Sequence, residues 1–425
     1  MTHRSIGFGA VALLATCSLA VLPSLAQVFI VRRADLSERP IVVQAVDESQ
    51  ITFAGVRTDS SSASGEVATL PLELLVSLTA ESQVLASPKK DLIVLADGQR
   101  IAGDLLQLAG DQLEMSTQAL GQVVVPLPAC REIILDHAYT PRRAQLASVE
   151  KDRVLLLNGD SVTGAITSLK DNLWKVATDD GEIEVPSSAI ARIKLAQIDG
   201  QASVPATITD PSPQDRWRID LTDGSSLRVA KLAVSGGAVA MLVAPTSLNL
   251  AADGVVRVPL SQIRRAENFE SRTVSALAKG SPEISFHAML PSPLPADYPG
   301  VTIVGSWIPG DFQVGGSTYS RVVKMRPRST IALTVPKGYK ELRFFPVLAG
   351  DSLRHPFAQC DLLVTSNGQV LHRSTVTSTV VPTTPTSVSV PAHDSTATVI
   401  IAVEEGKTLN VSDELLILDP VFMRP

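Results

Sequence analysis

Leu95-Ala96-Asp97-Gly98-Gln99-Arg100-Ile101-Ala102-Gly103-Asp104, followed by Val123-Val124-Val125-Pro126 and Ile133-Ile134-Leu135, carries the pattern that decides the fold. A polar Asp-Gly turn precedes two alternating apolar stretches, then a proline, then a short apolar run. The phrase returns as Leu157-Asn158-Gly159-Asp160-Ser161-Val162-Thr163-Gly164, Ile183-Glu184-Val185-Pro186 and Ile193-Lys194-Leu195. A looser copy holds Asp223-Gly224, Val256-Arg257-Val258-Pro259 and Ile263. A degenerate first copy keeps Ile51-Thr52-Phe53, Val67-Ala68-Thr69-Leu70-Pro71 and Leu74-Leu75-Val76. Small duplicated units with no embedded reactive constellation describe a scaffold or binding array.

The copies read as strands, because apolar residues alternate at period two and β-branched residues are enriched. Asp97-Gly98 and Asn158-Gly159 are hairpin signals, since type I′ turns need positive φ at both central positions. That requirement accounts for Asp97, Asn158 and Asp223 as turn residues rather than as a repeated ligand motif. Pro71, Pro126, Pro186 and Pro259 each stand just after a strand, where a missing N–H costs no ladder bond. A unit of this size with four or five short strands closes into a small barrel. In strand count and turn spacing it resembles SH3-like or Sm-like barrels.

The chain of 425 residues is 45% apolar and 19% charged, enough for several domains with their own cores. Its net charge of −6, without any large Lys/Arg cluster, argues against nucleic acid as a partner. At the N-terminus, His3 and Arg4 precede an apolar stretch from Ile6 to Ala20 and then Pro23-Ser24-Leu25-Ala26. That order is a secretory signal with cleavage after Ala26, so the chain is expected to be secreted or periplasmic. Two alternatives stay open. The apolar span could run on through Val28-Phe29-Ile30-Val31 to Arg32-Arg33 as an uncleaved anchor, or Cys17 could carry a lipid. After signal cleavage no stretch is long and apolar enough to span a membrane. Cys130 and Cys360 fall in different parts of the chain, which favours two buried free thiols over a disulfide.

From Val301 onward strand candidates come about every ten residues: Tyr319–Met325, Ser329–Val335, Glu341–Ala349, Asp361–Ser366, Gln369–His372, Ser387–Val390, Ala397–Val403 and Leu415–Val421. Eight short strands with turns between them suggest a jelly-roll sandwich. The expected fold is therefore mostly β, with tandem small β-barrel-like repeats followed by a jelly-roll β-sandwich. Its divisions are a signal peptide at 1–26, repeats at 36–84, 91–138, 152–198 and 216–269, a linker at 199–215, a Pro-rich linker at 270–296 and the jelly roll at 297–425.

The last part of the chain carries Tyr319-Ser320-Arg321, Ser329-Thr330-Ile331-Ala332-Leu333 and Gly338-Tyr339-Lys340-Glu341-Leu342-Arg343-Phe344. Gly350-Asp351, Asp361-Leu362-Leu363-Val364 with Asn367-Gly368-Gln369-Val370-Leu371, and Asp413 to Leu418-Asp419-Pro420 follow. In this order residues 297–425 resemble the putative carbohydrate-binding module found beside glycosyl hydrolase family 98, the NPCBM domain. The chain departs from that family in having Val322, Val323 and Met325-Arg326 where a glycine and a histidine are usual. The resemblance implies a β-sandwich that binds sugar and performs no catalysis.

Sugar recognition needs an aromatic face for the ring and polar side chains for the hydroxyls. Nine of the 17 aromatics lie in residues 290–425, which marks the sandwich as the ligand-bearing part. Trp307, Tyr319, Arg321, Asp351, Arg354 and His355 are the candidate carbohydrate contacts. Asp351, Asp361 and Asp413 are candidate ligands of a structural calcium, the one cofactor considered. Phe344 and Phe422 read as core. The six histidines are scattered, and no H-E-x-x-H pair, G-x-S-x-G elbow or phosphate loop is present, so no enzymatic role is expected. The partners expected are a polysaccharide or cell-envelope glycan and, through the edge strands of the repeats, other envelope proteins.

Overall fold

The computed structural model describes residues 27–56, 63–81, 91–135, 151–196, 216–243, 255–277, 283–286, 301–304, 312–315, 317–350, 358–391, 397–406 and 414–425. The chain is mostly β, as its alternation implies. The first unit has strands β1 Val28–Arg33, β2 Glu38–Val46, β3 Gln50–Val56, β4 Ala63–Pro71 and β5 Leu75–Ala80. The second has β6 Asp91–Leu95, β7 Arg100–Ala109, β8 Gln112–Thr117, β9 Gly121–Pro126 and β10 Cys130–Ile134. The third has β11 Asp152–Leu156, β12 Ser161–Lys170, β13 Leu173–Thr178, β14 Gly181–Pro186 and β15 Ile190–Lys194. The fourth has β16 Trp217–Leu221, β17 Ser226–Ser235, β18 Ala238–Val243, β19 Val255–Pro259 and β20 Ile263–Asn268.

Every unit is built the same way. Its fifth strand pairs with its first, the first with the second, the second with the third and the third with the fourth, all antiparallel. The long second strand carries a bulge that bends it, between Val43 and Ala45, Leu105 and Gln107, Ile166 and Ser168, and Val229 and Lys231. Bulges bend a strand and raise its twist, so one strand serves two half-sheets. Each proline ends the fourth strand, and the residue after it donates its N–H to the turn before the third strand. Leu127 gives to Asp111 O at 2.7 Å, and Ser187 to Asn172 O at 2.8 Å. The expected closure into a barrel is absent: among the described ladders no fourth strand pairs with a fifth, and a short 3₁₀ turn joins them instead.

The first unit begins earlier than residue 36. Val28–Arg33, which the sequence also allows as the end of an anchor, is β1, with Phe29 and Val31 fully buried in the core shared by the four units. It escapes the motif because Leu36 stands where Gly98, Gly159 and Gly224 stand in the other units.

The units associate in pairs. β10 pairs with β15 about Ile133↔Ile193, and β20 with β5 about Ala266↔Leu78. These are matching positions, so units 2 and 3 and units 1 and 4 form two similar pseudo-dimers. Matching contacts between second strands, Leu169↔Leu108 and Val234↔Val46, complete them.

The sandwich follows, with β21 Thr273–Ser275, β22 Glu283–Phe286, β23 Val301–Val304, β24 Phe312–Val314, β25 Ser317–Tyr319, β26 Val322–Met325, β27 Ser329–Val335, β28 Glu341–Leu348, β29 Cys360–Ser366, β30 Gln369–Val376, β31 Thr386–Ser389, β32 Ala397–Glu405 and β33 Leu415–Met423. One sheet runs β23-β26-β33-β28-β31, with β21 also on β33; the other runs β22-β27-β32-β29-β30. Phe344 and Phe422 lie in the core between them, as expected. The segment 270–296, expected as a linker from its prolines, supplies β21 and β22 instead. Their short runs, Thr273-Val274-Ser275 and Glu283-Ile284-Ser285-Phe286, find partners in strands far along the chain. Cys130 and Cys360 are buried and form no disulfide, one in each part of the molecule.

Candidate functional site

The sandwich docks on the first unit, and the residues there are built in from both sides. Arg32 of β1 stands opposite Glu38 of β2 in the ladder, so their side chains share a face. Arg32 Nε donates to Glu38 Oε1 at 2.8 Å, and its Nη1 pairs with Asp419 of β33. The same guanidinium lies 5.7 Å from the centre of the Tyr319 ring. Asp419 also accepts the backbone N–H groups of Ser320 at 2.8 Å and Arg321 at 2.6 Å. Arg321 Nη2 reaches Glu267 Oε1 of β20 at 2.7 Å, and both side chains are largely buried. An apolar patch backs these polar contacts: Leu36 packs with Tyr319, Val322, Phe345, Val347, Leu418 and Val421.

Beside this junction lies a cleft of about 360 Å³, within the roughly 300–1,000 Å³ of small-ligand sites. Ser77 and Thr79 of β5 and Arg265 of β20 line it from the seam where units 1 and 4 pair. Glu38 and Arg39 line it from β2, and Ser317 and Ser320 from the sandwich. Hydroxyls that both donate and accept, carboxylates that accept and guanidiniums that donate are gathered in one space. That set suits a ligand dense in hydroxyl groups, with or without an acid.

Of the residues singled out in the sequence, Tyr319 and Arg321 come together here. Tyr319 is 5% exposed; its ring meets Phe345 edge-on at 6.2 Å, and burial pushes its phenol pKa up. Its face is occupied by protein, so it offers no stacking platform. Arg321 is held by Glu267. Trp307, Asp351, Arg354, His355 and Asp413 lie outside the described residues. Asp361 lies on β29, in the other sheet, where it accepts from Thr375 Oγ1 at 2.6 Å. Among the described residues no three His, Cys, Asp or Glu side chains gather as a metal site, and no helix is long and apolar enough to cross a membrane. The sequence reading missed Arg32, Glu38, Arg39, Ser77, Thr79 and Arg265. One signal was present: Arg265 and Glu267 occupy alternate positions of a strand beginning at the buried Ile263, and buried charge on a strand marks a contact.

No protein-family model and no curated protein sequence matches the chain. Among solved structures it is similar to a CBM51-2 and INT fragment of Clostridium perfringens ZmpB, with 10% identity and a TM-score of 0.28. That match covers 46% of this chain, and the chain spans 37% of the ZmpB fragment's length. A CBM51 module of a Clostridium perfringens GH95 protein in complex with methyl-galactose matches at 15% identity and a TM-score of 0.26, over 36% of this chain and 99% of the module. Tandem CBM51 modules of a Streptococcus pneumoniae family 98 glycoside hydrolase match at 12% identity and a TM-score of 0.25, over 79% and 88%.

Proposed function

We propose that this is an exported, secreted or periplasmic, non-catalytic binding protein that contacts a carbohydrate or cell-envelope glycan through its C-terminal sandwich. The observation that carries it is the hydroxyl- and charge-lined cleft where the sandwich meets the first unit, to which the sandwich contributes Ser317 and Ser320 and units 1 and 4 the rest. The resemblance of residues 297–425 to a sugar-binding module agrees with that chemistry. Glycan hydroxyls would exchange their water partners for Ser77, Thr79, Ser317 and Ser320, with Arg39 and Arg265 taking an acid group or a ring oxygen. Trp307, a contact expected from the sequence, is the remaining candidate for an aromatic face.

The test is affinity electrophoresis of the full chain through acidic and neutral polysaccharides. Retardation by one class, weakened about tenfold in Arg39→Ala and Thr79→Val, supports the cleft. Retardation lost only in Trp307→Ala moves the contact to the sandwich loops. Absence of retardation in every gel overturns glycan binding.

A second reading is an assembly scaffold whose repeats dock protein partners. It is favoured by the way the hairpins after the first strands are used. Those of units 2 and 4 pack on each other, and that of unit 1 packs on the sandwich.

A further inference from the structure

The four hairpins that join first and second strands are equivalent, and three of them are covered. Each is set by the same turn, in which an Asx side chain accepts the N–H two residues on. The acceptors are Asp35 for Ser37 at 2.9 Å, Asp97 for Gln99 at 3.0 Å, Asn158 for Asp160 at 3.0 Å and Asp223 for Ser225 at 2.9 Å. In unit 1, Leu36 at the turn is buried against the sandwich. Units 2 and 4 cover one another, and they do so reciprocally. Gln99 Oε1 accepts the N–H of Arg228 at 2.9 Å, and Ser225 Oγ accepts the N–H of Ala102 at 3.0 Å. Gln99 and Ser225 follow their turn glycines directly, and Ala102 and Arg228 lie three residues beyond. Donor and acceptor are therefore exchanged by a local two-fold axis, which passes near the facing pair Ser226↔Arg100. Gln99 and Ser225 are 1% and 0% exposed.

The hairpin of unit 3 has the same parts and, among the described residues, no cover. Asp160 follows Gly159 as Gln99 follows Gly98, and it supplies a carboxylate acceptor. Thr163 is the counterpart of Ala102. In the β11–β12 register its N–H points away from β11, because Leu156 donates to Asp160 O and ladder bonds alternate from there. Arg153 Nη2 donates to Ser161 Oγ at 3.1 Å, as Arg218 Nε does to Ser226 Oγ at 3.1 Å where unit 4 meets unit 2. Yet Asn158, Gly159, Asp160 and Ser161 are exposed, and Leu157 is 45% exposed. The hairpin thus presents an apolar side chain and outward backbone polar groups to water.

We propose that the unit 3 hairpin is a docking surface for a second copy of this chain. The two copies meet about a true two-fold axis in the manner that units 2 and 4 meet about a local one. A self-complementary patch is what an isologous dimer requires, and the internal contact between units 2 and 4 supplies the template. Asp160 of each copy accepts the Thr163 N–H of the other, and Ser161 of one copy faces Ser161 of the other, since both Arg100 and Ser226 map onto it. The assembly joins two chains through their third units.

The facing pair supplies the test. Residues directly opposite in an antiparallel pair have Cα atoms about 4.5–5.5 Å apart, within disulfide reach. The full-length Ser161→Cys protein, mildly oxidised, is expected to give a covalent dimer on a non-reducing gel. Thr167→Cys, exposed on the other half of β12, gives none. Sedimentation of the unaltered chain is expected to show a monomer–dimer equilibrium that Asp160→Lys or Leu157→Glu shifts at least tenfold toward monomer, with unchanged circular dichroism. A chain monomeric at every concentration, or a dimer indifferent to both substitutions and without the Ser161→Cys cross-link, overturns the proposal.

Discussion

Leu36 holds φ at 64° and Asp419 at 43°, and both lie where the first unit meets the sandwich. For an L-residue with a Cβ that region costs about 1–2 kcal/mol, and the other three hairpins avoid the cost with Gly98, Gly159 and Gly224. Unit 1 accepts it because the Leu36 side chain fills the apolar patch around Tyr319 and Phe345, and a fully buried Leu contributes about 1.5–3 kcal/mol. The two terms predict an inverted order of substitution. Leu36→Ala loses the burial and keeps the strain, whereas Leu36→Gly loses the burial and relieves the strain. Leu36→Gly is expected to be the less damaging by about 1 kcal/mol, measured by urea unfolding; an Ala variant at least as stable as the Gly variant contradicts this account. Glycine is required for another reason at Gly103 and Gly164. A Cβ there would stand 2.3 Å from Ser116 O and 2.4 Å from Ala177 O, backbone atoms of the third strand. Gly103→Ala is therefore expected to cost about 1–3 kcal/mol, read as a lowered urea midpoint at unchanged slope.

Strands β7, β16, β17 and β20 gather charge where unit 2 meets unit 4, and one carboxylate holds it together. Asp220 is fully buried and accepts from Ser226 Oγ at 2.6 Å and Arg218 Nε at 3.2 Å. Burial alone would raise its pKa, but the Arg218 and Arg265 guanidiniums, the Ser226 hydrogen bond and Arg100 together hold it well below the usual carboxylate range. Arg100 is itself pushed down to about 10 by burial and by Arg218. A carboxylate with a depressed folded pKa contributes stability above its unfolded pKa, about 3.9, and loses that contribution as pH falls through the folded value. Stability should thus fall with pH below about 4. Asp220→Asn should lose about 3 kcal/mol at neutral pH and show a shallower decline in acid. Parallel pH profiles for the two proteins would remove Asp220 from this role. The same strands show what a sequence reveals. Turns and strand ends are local, so Asp97-Gly98, Asn158-Gly159 and the four prolines disclosed the units and most strand bounds. Asp220 replaces an apolar residue at a strand position matching Val94 and Leu155, and Arg218 on its own strand, with Arg265 and Arg100 from other strands, makes that tolerable. The Arg218-Ile219-Asp220 spacing is local, but no local pattern reports Arg265 or Arg100 as partners. Tyr319 and Arg321 are similar: an aromatic and a cation in a polar stretch suggest a ligand surface, while Glu267 and Arg32, which cover them, come from other units.

Among the described residues, the buried links between repeats and sandwich include Arg32 with Asp419, Arg321 with Glu267 and the apolar patch around Leu36, beside the more exposed pair of Arg272 with Glu73. The larger cores on either side are separate, one shared by the four units and one between the sandwich sheets. Two cores joined by a narrow junction unfold as one body only while the junction's coupling energy is large enough to make either half pull the other down. Asp419 is the point at which to break it. It takes Arg32 and two backbone N–H groups at once, and removing one partner of a buried pair costs about 3–5 kcal/mol because the other charge is stranded. Neither core loses a side chain in Asp419→Ala, so secondary structure should persist. The expected result is one calorimetric transition for the unaltered chain and two for Asp419→Ala. The transition assigned to the sandwich should move to lower temperature, and that of the repeats should change least. A single undivided transition, shifted or not, would mean that the cores are coupled by more than this junction.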